Sequence, residues 1–499
     1  MSSQIFFSRL LKKNLWIYFF SFLMAPVSYG VKMIMTGTVS QEDYGIFVAV
    51  ISFVMILGSY NDFGMADSLN YFLPEHLHKK DAKKITQTLS IALVTQILSS
   101  SCIAVILFFV SWILADHYFE APLAKNLLHI FIIFFFADNI FRSINTFFQS
   151  MQDTKMQKWT DFLRQLLQII GVTLVALWWK VSIENYAWVY NSSVIMGVLI
   201  SLWFLYSKYH SFFTLDGWRF SFWDYKKVFQ YAIFVMLAAN VSVLLWQVDK
   251  QMIVVLLWTT HAGTYDIYLS LIRIPFMFLL PWVYFLFPVF SDLFKKRDVE
   301  KIQKIYTFTY ELFAIVALFM TSFFIFFGDE LVYTLFPEYS QSWKILLYSS
   351  PFLIFNFLLQ IDFQLLNALW KPHKKTMILL LALWVNIITN YIFLKLWGIV
   401  GSAFASGIGW VFIWALSFRE LKGYLSHFRW GIFIKNLLGV ALFSLCTLFF
   451  HMSDLLSGRI QIFWGILGVI FLYGILFLGL NITEFHRMKN IFFSWKKIW

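Results

Sequence analysis

A chain of 499 residues that is 60% hydrophobic and only 13% charged falls outside the soluble globular class, where about a quarter of residues are charged. Its net charge of +12 invites a nucleic-acid reading, but the basic residues sit in short clusters between apolar runs rather than on one surface, so nucleic acid is not the expected partner. No polar stretch is long enough for a soluble domain, and the 21% aromatic content suits lipid contact, so the expected fold class is an all-α polytopic membrane protein.

Residues 1–13 are basic and read as a cytoplasmic interfacial segment. The apolar run that follows from Asn14 is too long for the core of a cleavable signal peptide and reads as a first span. Crossing about 30 Å of hydrocarbon takes roughly 20 helical residues. Runs of that size at 14–36, 44–66, 87–113, 126–148, 160–179 and 186–206 form an N-lobe over 14–207. A cytoplasmic linker at 208–227 leads to a C-lobe over 228–417, with spans at 228–258, 265–290, 305–327, 345–366, 376–396 and 399–417. Two extra spans, 433–451 and 461–480, fill the segment 433–480, and 481–499 is a basic cytoplasmic tail. About fourteen spans result. Ile5 to Lys13 and Phe485 to Trp499 mix Phe, Ile and Trp with Arg and Lys, which fits interfacial helices and snorkelling flanks equally well. Cys102 and Cys446 both fall in spans, far apart, and their spacing suggests neither a disulfide nor a metal site.

The loops test this topology. With the N-terminus inside, cytoplasmic segments carry Lys79, Lys80, Lys83 and Lys84, then Lys295, Lys296, Arg297, Lys301 and Lys304, and similar clusters further on. The opposite side holds only Lys125, Lys180, Lys344, Lys395 and Arg459. That asymmetry is the positive-inside pattern, and it places both termini in the cytoplasm.

An internal repeat runs through the chain. Lys32 precedes Gly45 by 13 residues, and Lys250 precedes Gly263 by the same number. Leu77-His78-Lys79-Lys80-Asp81 matches Leu293-Phe294-Lys295-Lys296-Arg297-Asp298, and Gln149-Ser150-Met151 corresponds to Asn367-Ala368-Leu369. The offset stays near 216 to 218 residues, or six spans. An even number of spans gives both halves one orientation, as in transporters whose substrate site lies between parallel repeats.

The run Val39-Ser40-Gln41-Glu42-Asp43-Tyr44-Gly45-Ile46-Phe47, then Asp62-Phe63-Gly64 and Pro74-Glu75, resembles the start of polysaccharide-export flippases. Asp249-Lys250, Gly263-Thr264-Tyr265 and Gly398-Ile399-Val400-Gly401-Ser402-Ala403 extend the resemblance into the second half. These flippases belong to the multidrug/oligosaccharidyl-lipid/polysaccharide exporter superfamily. The resemblance implies a two-lobed bundle that alternates between inward- and outward-open states in a bacterial cytoplasmic membrane. Its implied cargo is an undecaprenyl-pyrophosphate-linked glycan, such as an O-antigen or capsule repeat unit, delivered to polysaccharide polymerase machinery. It implies no catalytic residues and no cofactor.

Ionisable residues inside spans cost roughly 2.5–3.5 kcal/mol each on insertion scales, so each is a functional candidate. For a dianionic pyrophosphate the substrate-binding candidates are Lys32, Arg142, Lys250 and Arg273, whose cations make charge-assisted bonds to phosphate oxygens. Lys32 lies about one turn from the end of its span and is also placed to snorkel, whereas its repeat partner Lys250 lies deeper. Arg142 and Asp138, spaced i, i+4, equally suit an internal ion pair. Arg273 precedes Pro275, Pro281 and Pro288, where irregular helix needs protein or a water-filled cavity beside it. Arg164 reads as a topology charge. Among the acids Asp62, Asp138, Asp249, Glu311 and Asp362, the candidates for ion coupling are Asp138, Glu311 and Asp362.

Two other functions compete. A multidrug extruder or cation antiporter of the same superfamily would typically carry an acid in its first span, but residues 14–36 contain none; a lipid II flippase would differ only in its glycan. A membrane glycan polymerase or glycosyltransferase would need a catalytic outer loop. The longest here, near 328–344, offers only Asp329, Glu330 and Glu338, with no nucleophile constellation.

Overall fold

The structure, a computed structural model, describes residues 3–178, 180–218 and 222–424. The extra spans expected at 433–451 and 461–480, and the basic tail, lie outside the described residues. Fourteen α-helices and no strand occur among the described residues. The first seven are α1 (Ser3–Thr36), α2 (Gln41–Asn61), α3 (Met65–His78), α4 (Ala82–Ile113), α5 (Pro122–Ser150), α6 (Thr154–Trp178) and α7 (Ile183–Tyr209). Then follow α8 (Phe222–Leu256), α9 (Thr259–Lys295), α10 (Val299–Leu335), α11 (Ser342–Ser349), α12 (Leu353–Ala368), α13 (Pro372–Trp397) and α14 (Gly401–Leu421). Each of the first twelve expected spans overlaps one of these helices, except that the second runs past α2 into the start of α3 and the tenth covers the pair α11 and α12.

Eight helical stretches among the described residues are long and apolar enough to cross a membrane. Their outer faces agree. On α4, Leu98, Val105, Phe109 and Trp112 are exposed at helical spacing, and on α13 Trp384, Ile388 and Tyr391 repeat the pattern. Apolar stripes of that length are stable against lipid, where the helix has already satisfied its own backbone.

Two expected spans are interrupted. The run at 44–66 ends at Asn61, where Phe63 and Gly64 take positive φ of 48° and 72°, and the chain resumes as α3. Glycine is required at 64: an added Cβ would lie 2.2 Å from the Ala232 carbonyl oxygen of α8. The run at 345–366 breaks at Ser350–Phe352, where Pro351 cannot donate to the preceding turn. By contrast α9 runs helical through Pro275, Pro281 and Pro288. The outer loop expected near 328–344 is largely helical, because α10 extends to Leu335 and α11 begins at Ser342.

The repeat is visible in the backbone. Lys80 and Arg297 both adopt left-handed φ, 54° and 57°, and each is followed by an aspartate that caps the next helix. The Lys84 amide donates to Asp81 at 3.0 Å, and the Lys301 amide to Asp298 at 3.1 Å. Gln152 and Trp370, at 56° and 59°, are a second pair of left-handed residues at the repeat offset. The chain divides into two compact units. One comprises Leu15–Ser270 and Leu379–Ser402; the other comprises Leu271–Ile378 and the described residues of Met1–Asn14 and Ala403–Trp499.

Candidate functional site: two lysines on one carboxylate

Within the first unit, three consecutive polar residues of α8 reach three different neighbours. Asp249 accepts from the Asn390 side-chain amide of α13 at 2.8 Å and from the Tyr265 hydroxyl at 2.7 Å. Gln251 donates to the Ala49 carbonyl of α2 at 3.1 Å. Between them, Lys250 Nζ donates to Asp266 Oδ1 of α9 at 2.6 Å.

The second oxygen of Asp266 is held by the other repeat. Lys32 Nζ of α1 donates to Asp266 Oδ2 and to the Ser270 hydroxyl. The Tyr44 hydroxyl donates to the same Oδ2 at 3.1 Å, and the Tyr29 hydroxyl closes the group on the Ser270 carbonyl. The repeat-related lysines therefore meet on one carboxylate, each on its own oxygen.

Glycine packing makes this possible. A Cβ on Gly45 would lie 2.5 Å from the Thr259 carbonyl oxygen, and one on Gly263 would lie 3.3 Å from the Gly45 Cα. The N-terminal turns of α2 and α9 thus touch backbone to backbone, through the two glycines that correspond in the repeat.

The side chains of Lys250 and Asp266 are 7% and 10% exposed, and that of Lys32 is 26% exposed. Lys32 is the accessible edge of a buried cluster. Lys32 lies four residues from the end of α1, Lys250 six from the end of α8, and Asp266 seven from the start of α9. At 1.5 Å per residue these positions are roughly 6–10 Å from the helix ends. On α9 that end is the one opposite the basic loop after Lys295. Two ammonium groups and one carboxylate leave one unit of positive charge, and at this burial each ion depends on its partners for its solvation.

The remaining expected residues lie elsewhere. Arg142 Nε donates to Asp138 at 2.8 Å along α5, the intrahelical pair that their spacing allowed, with the arginine side chain 41% exposed. The Arg164 guanidinium lies over the Phe141 ring, 5.3 Å from its centre. Arg273, exposed, sits seven residues beyond Asp266 on α9. Asp62 caps the start of α3 through the Ala66 amide at 3.1 Å and accepts from Gln96. In the second unit, Glu311 is buried in α10. Asp362 of α12 is wholly buried and accepts from the Tyr306 hydroxyl at 2.6 Å, while its other oxygen meets no hydrogen-bond partner among the described residues. Among the described residues no three His, Cys, Asp or Glu side chains gather as a metal site.

Asp266 and Tyr44 are absent from the candidate site residues drawn from sequence. The expected span began at 265, which left Asp266 at a helix mouth where a carboxylate needs no explanation. The helix starts at Thr259, and the two turns added there carry the acid into the bundle. The usable signal was Gly263: its match to Gly45 at the head of a helix implies a helix head before 265.

Comparison with known proteins identifies the fold and the family. In fold the chain is similar to the lipid II flippase MurJ in an inward closed conformation, with a TM-score of 0.72 at 16% identity over 94% of this chain and 98% of that one. It is also similar to an inward-facing MATE family transporter of the MOP superfamily, with a TM-score of 0.70 at 13% identity over 81% and 95% of the two chains. In sequence it is 24% identical over 508 residues to the uncharacterized membrane protein MJ1068 of Methanocaldococcus jannaschii, covering 94% of this chain and 95% of that protein. A family model described as polysaccharide biosynthesis protein matches residues 10–294, more than half of the chain, in agreement with the resemblance carried by residues 39–47, 62–64 and 249–250. The chain belongs to the polysaccharide biosynthesis protein family.

Proposed function

We propose that this protein is a flippase that moves a polyprenyl-pyrophosphate-linked oligosaccharide from the cytoplasmic to the outer leaflet, with Lys32 and Lys250 meeting the pyrophosphate. The observation that carries this reading is the convergence of two repeat-related lysines on one carboxylate inside the first unit. A pyrophosphate presents the same chemistry as that carboxylate, oxygen acceptors with negative charge, in a larger and more highly charged form. The resemblance to polysaccharide-export flippases supports a bacterial cytoplasmic membrane, the placement of basic loops supports both termini inside, and polymerase machinery would receive the glycan. Arg142 and Arg273 are proposed as further anion-binding cations, each by itself; the Arg142 side chain is 41% exposed and Arg273 is exposed.

Among the acids, Asp362 best fits an ion-coupling group. It is buried, bonded through one oxygen to a neutral hydroxyl, and has room in its bonding pattern for a proton on the other. Asp138 is engaged by Arg142, which makes it the weaker candidate. Against a multidrug extruder stands the absence of an acid in residues 14–36 together with the net positive charge of the cluster. A lipid II flippase would use the same anion chemistry with another sugar.

The test uses liposomes containing the purified protein and fluorescently labelled undecaprenyl-pyrophosphate disaccharide. Change of sidedness without chain elongation is the expected result for the native protein; elongation would indicate a polymerase. Lys250→Gln and Lys32→Gln should each lower the flipping rate about tenfold or more while the protein inserts normally. Unchanged rates in both single variants and in the double variant would rule the lysines out.

A further inference from the structure

We propose that Asp266 is a built-in competitor for the cargo's anion, holding the two lysines when the site is empty and reclaiming them to expel the pyrophosphate. This rests on the reading of Lys32 and Lys250 as the pyrophosphate-binding pair.

The geometry is that of a saturated counter-ion. Asp266 gives Oδ1 to Lys250 and Oδ2 to Lys32, and Tyr44 adds a hydroxyl to Oδ2. Ser270, one turn further on α9, accepts from Lys32 and donates to the Asp266 carbonyl at 2.7 Å, so the second ammonium is tied to the same helix twice. A carboxylate that served only to neutralise one lysine would not need to divide its oxygens between two.

Charge arithmetic gives this arrangement a function. Two lysines alone would exactly match the two negative charges of a pyrophosphate diester, and a matched, desolvated anion leaves slowly. With Asp266 in place the loaded site carries one surplus negative charge, and the carboxylate stands at high effective concentration beside the ammonium groups it can retake. The cargo is thus bound against a tethered rival. Location agrees: each of the three residues lies within two turns of a helix end, and the start of α2 that packs against α9 there is remote along α2 and α3 from the basic loop Lys79–Lys84, so by the positive-inside pattern this is the side where an exported headgroup departs. Lys32, the most accessible of the three side chains, is the ammonium most open to an exchange of partners.

The experiment compares binding, measured on the full-length protein in nanodiscs, with turnover, measured in liposomes, with undecaprenyl-pyrophosphate disaccharide, a pyrophosphate diester, as the probe. Asp266→Asn keeps the shape and hydrogen bonds but removes the charge. It should bind the probe about tenfold tighter, complete a first flipping event, and then turn over more slowly than the native protein. A purely structural role would weaken binding and both rates together, and equal or weaker binding by Asp266→Asn would overturn the proposal. Should that variant fail to insert, the double variant Asp266→Asn with Lys32→Gln restores the net charge of the cluster. It should bind within about threefold of the native protein; a loss as large as that of Lys32→Gln alone would overturn the proposal. If Lys32→Gln and Lys250→Gln both bind and flip normally, the pyrophosphate reading itself fails. If they lose binding while Asp266→Asn behaves as native, the competitor alone is wrong.

Discussion

Asp266 and Asp362 are the same residue type, both buried in membrane-spanning helices, and their surroundings could hardly differ more. Asp266 meets two ammonium groups and a tyrosine hydroxyl. Asp362 meets one hydroxyl, that of Tyr306, whose neighbour Tyr310 accepts from the Trp414 indole. The first is an ionic cluster in which every charge has an opposite beside it. The second is an aromatic pocket that offers hydrogen bonds without a counter-charge among the described residues. The difference teaches that an acid within a span is not one kind of signal: its chemistry is set by its partners, since a buried charge needs an opposite charge and a buried neutral group needs only a donor.

That contrast can be broken by deletion. Asp266→Ala would leave two lysines side by side with no carboxylate between them, and a loss of about 3–5 kcal/mol is expected, the scale for breaking a buried ion pair. Asp362→Ala would strand only a tyrosine hydroxyl, with an expected loss of about 1–3 kcal/mol. Thermal unfolding of both purified variants in one detergent orders them, and the reverse order would dissolve the distinction. Glycines sharpen the same comparison. Gly45→Ala forces a methyl against the Thr259 carbonyl and should cost about 1–3 kcal/mol, with a fall in membrane abundance. Gly328→Ala in α10 meets only a flexible Leu346 methyl at 3.4 Å and should be neutral or stabilising by up to about 1 kcal/mol. The smallest effect on stability is expected from Asp362→Asn, which retains an oxygen for the Tyr306 hydroxyl; a change within about 1 kcal/mol is expected. Its flipping should nonetheless lose dependence on an imposed proton gradient, measured in liposomes; a full response to the gradient would remove Asp362 from ion coupling.

Much of the architecture was legible in the sequence because hydropathy is a local property. Twenty apolar residues make a helix long enough to span wherever they occur, whatever it packs against. The interruptions at Asp62–Gly64 and at Pro351 were masked by that same signal, since a turn in mid-run changes the backbone without lowering the hydropathy. In the site, Lys32 and Lys250 stood out because a cation in an apolar run is costly and because the repeat paired them. Asp266 did not, because its place in the bundle depended on where α9 begins, and six residues decided whether it was mouth or interior.

Composition and the repeat determined by themselves that this is a helical membrane protein with lysines in corresponding places of its two halves. Only the folded chain decided that those lysines, 218 residues apart, share one carboxylate instead of facing an anion uncompensated. The reason is that hydropathy sums over neighbours in the chain, whereas a buried charge is stabilised by neighbours in space, here brought within reach by two glycines that let α2 and α9 touch.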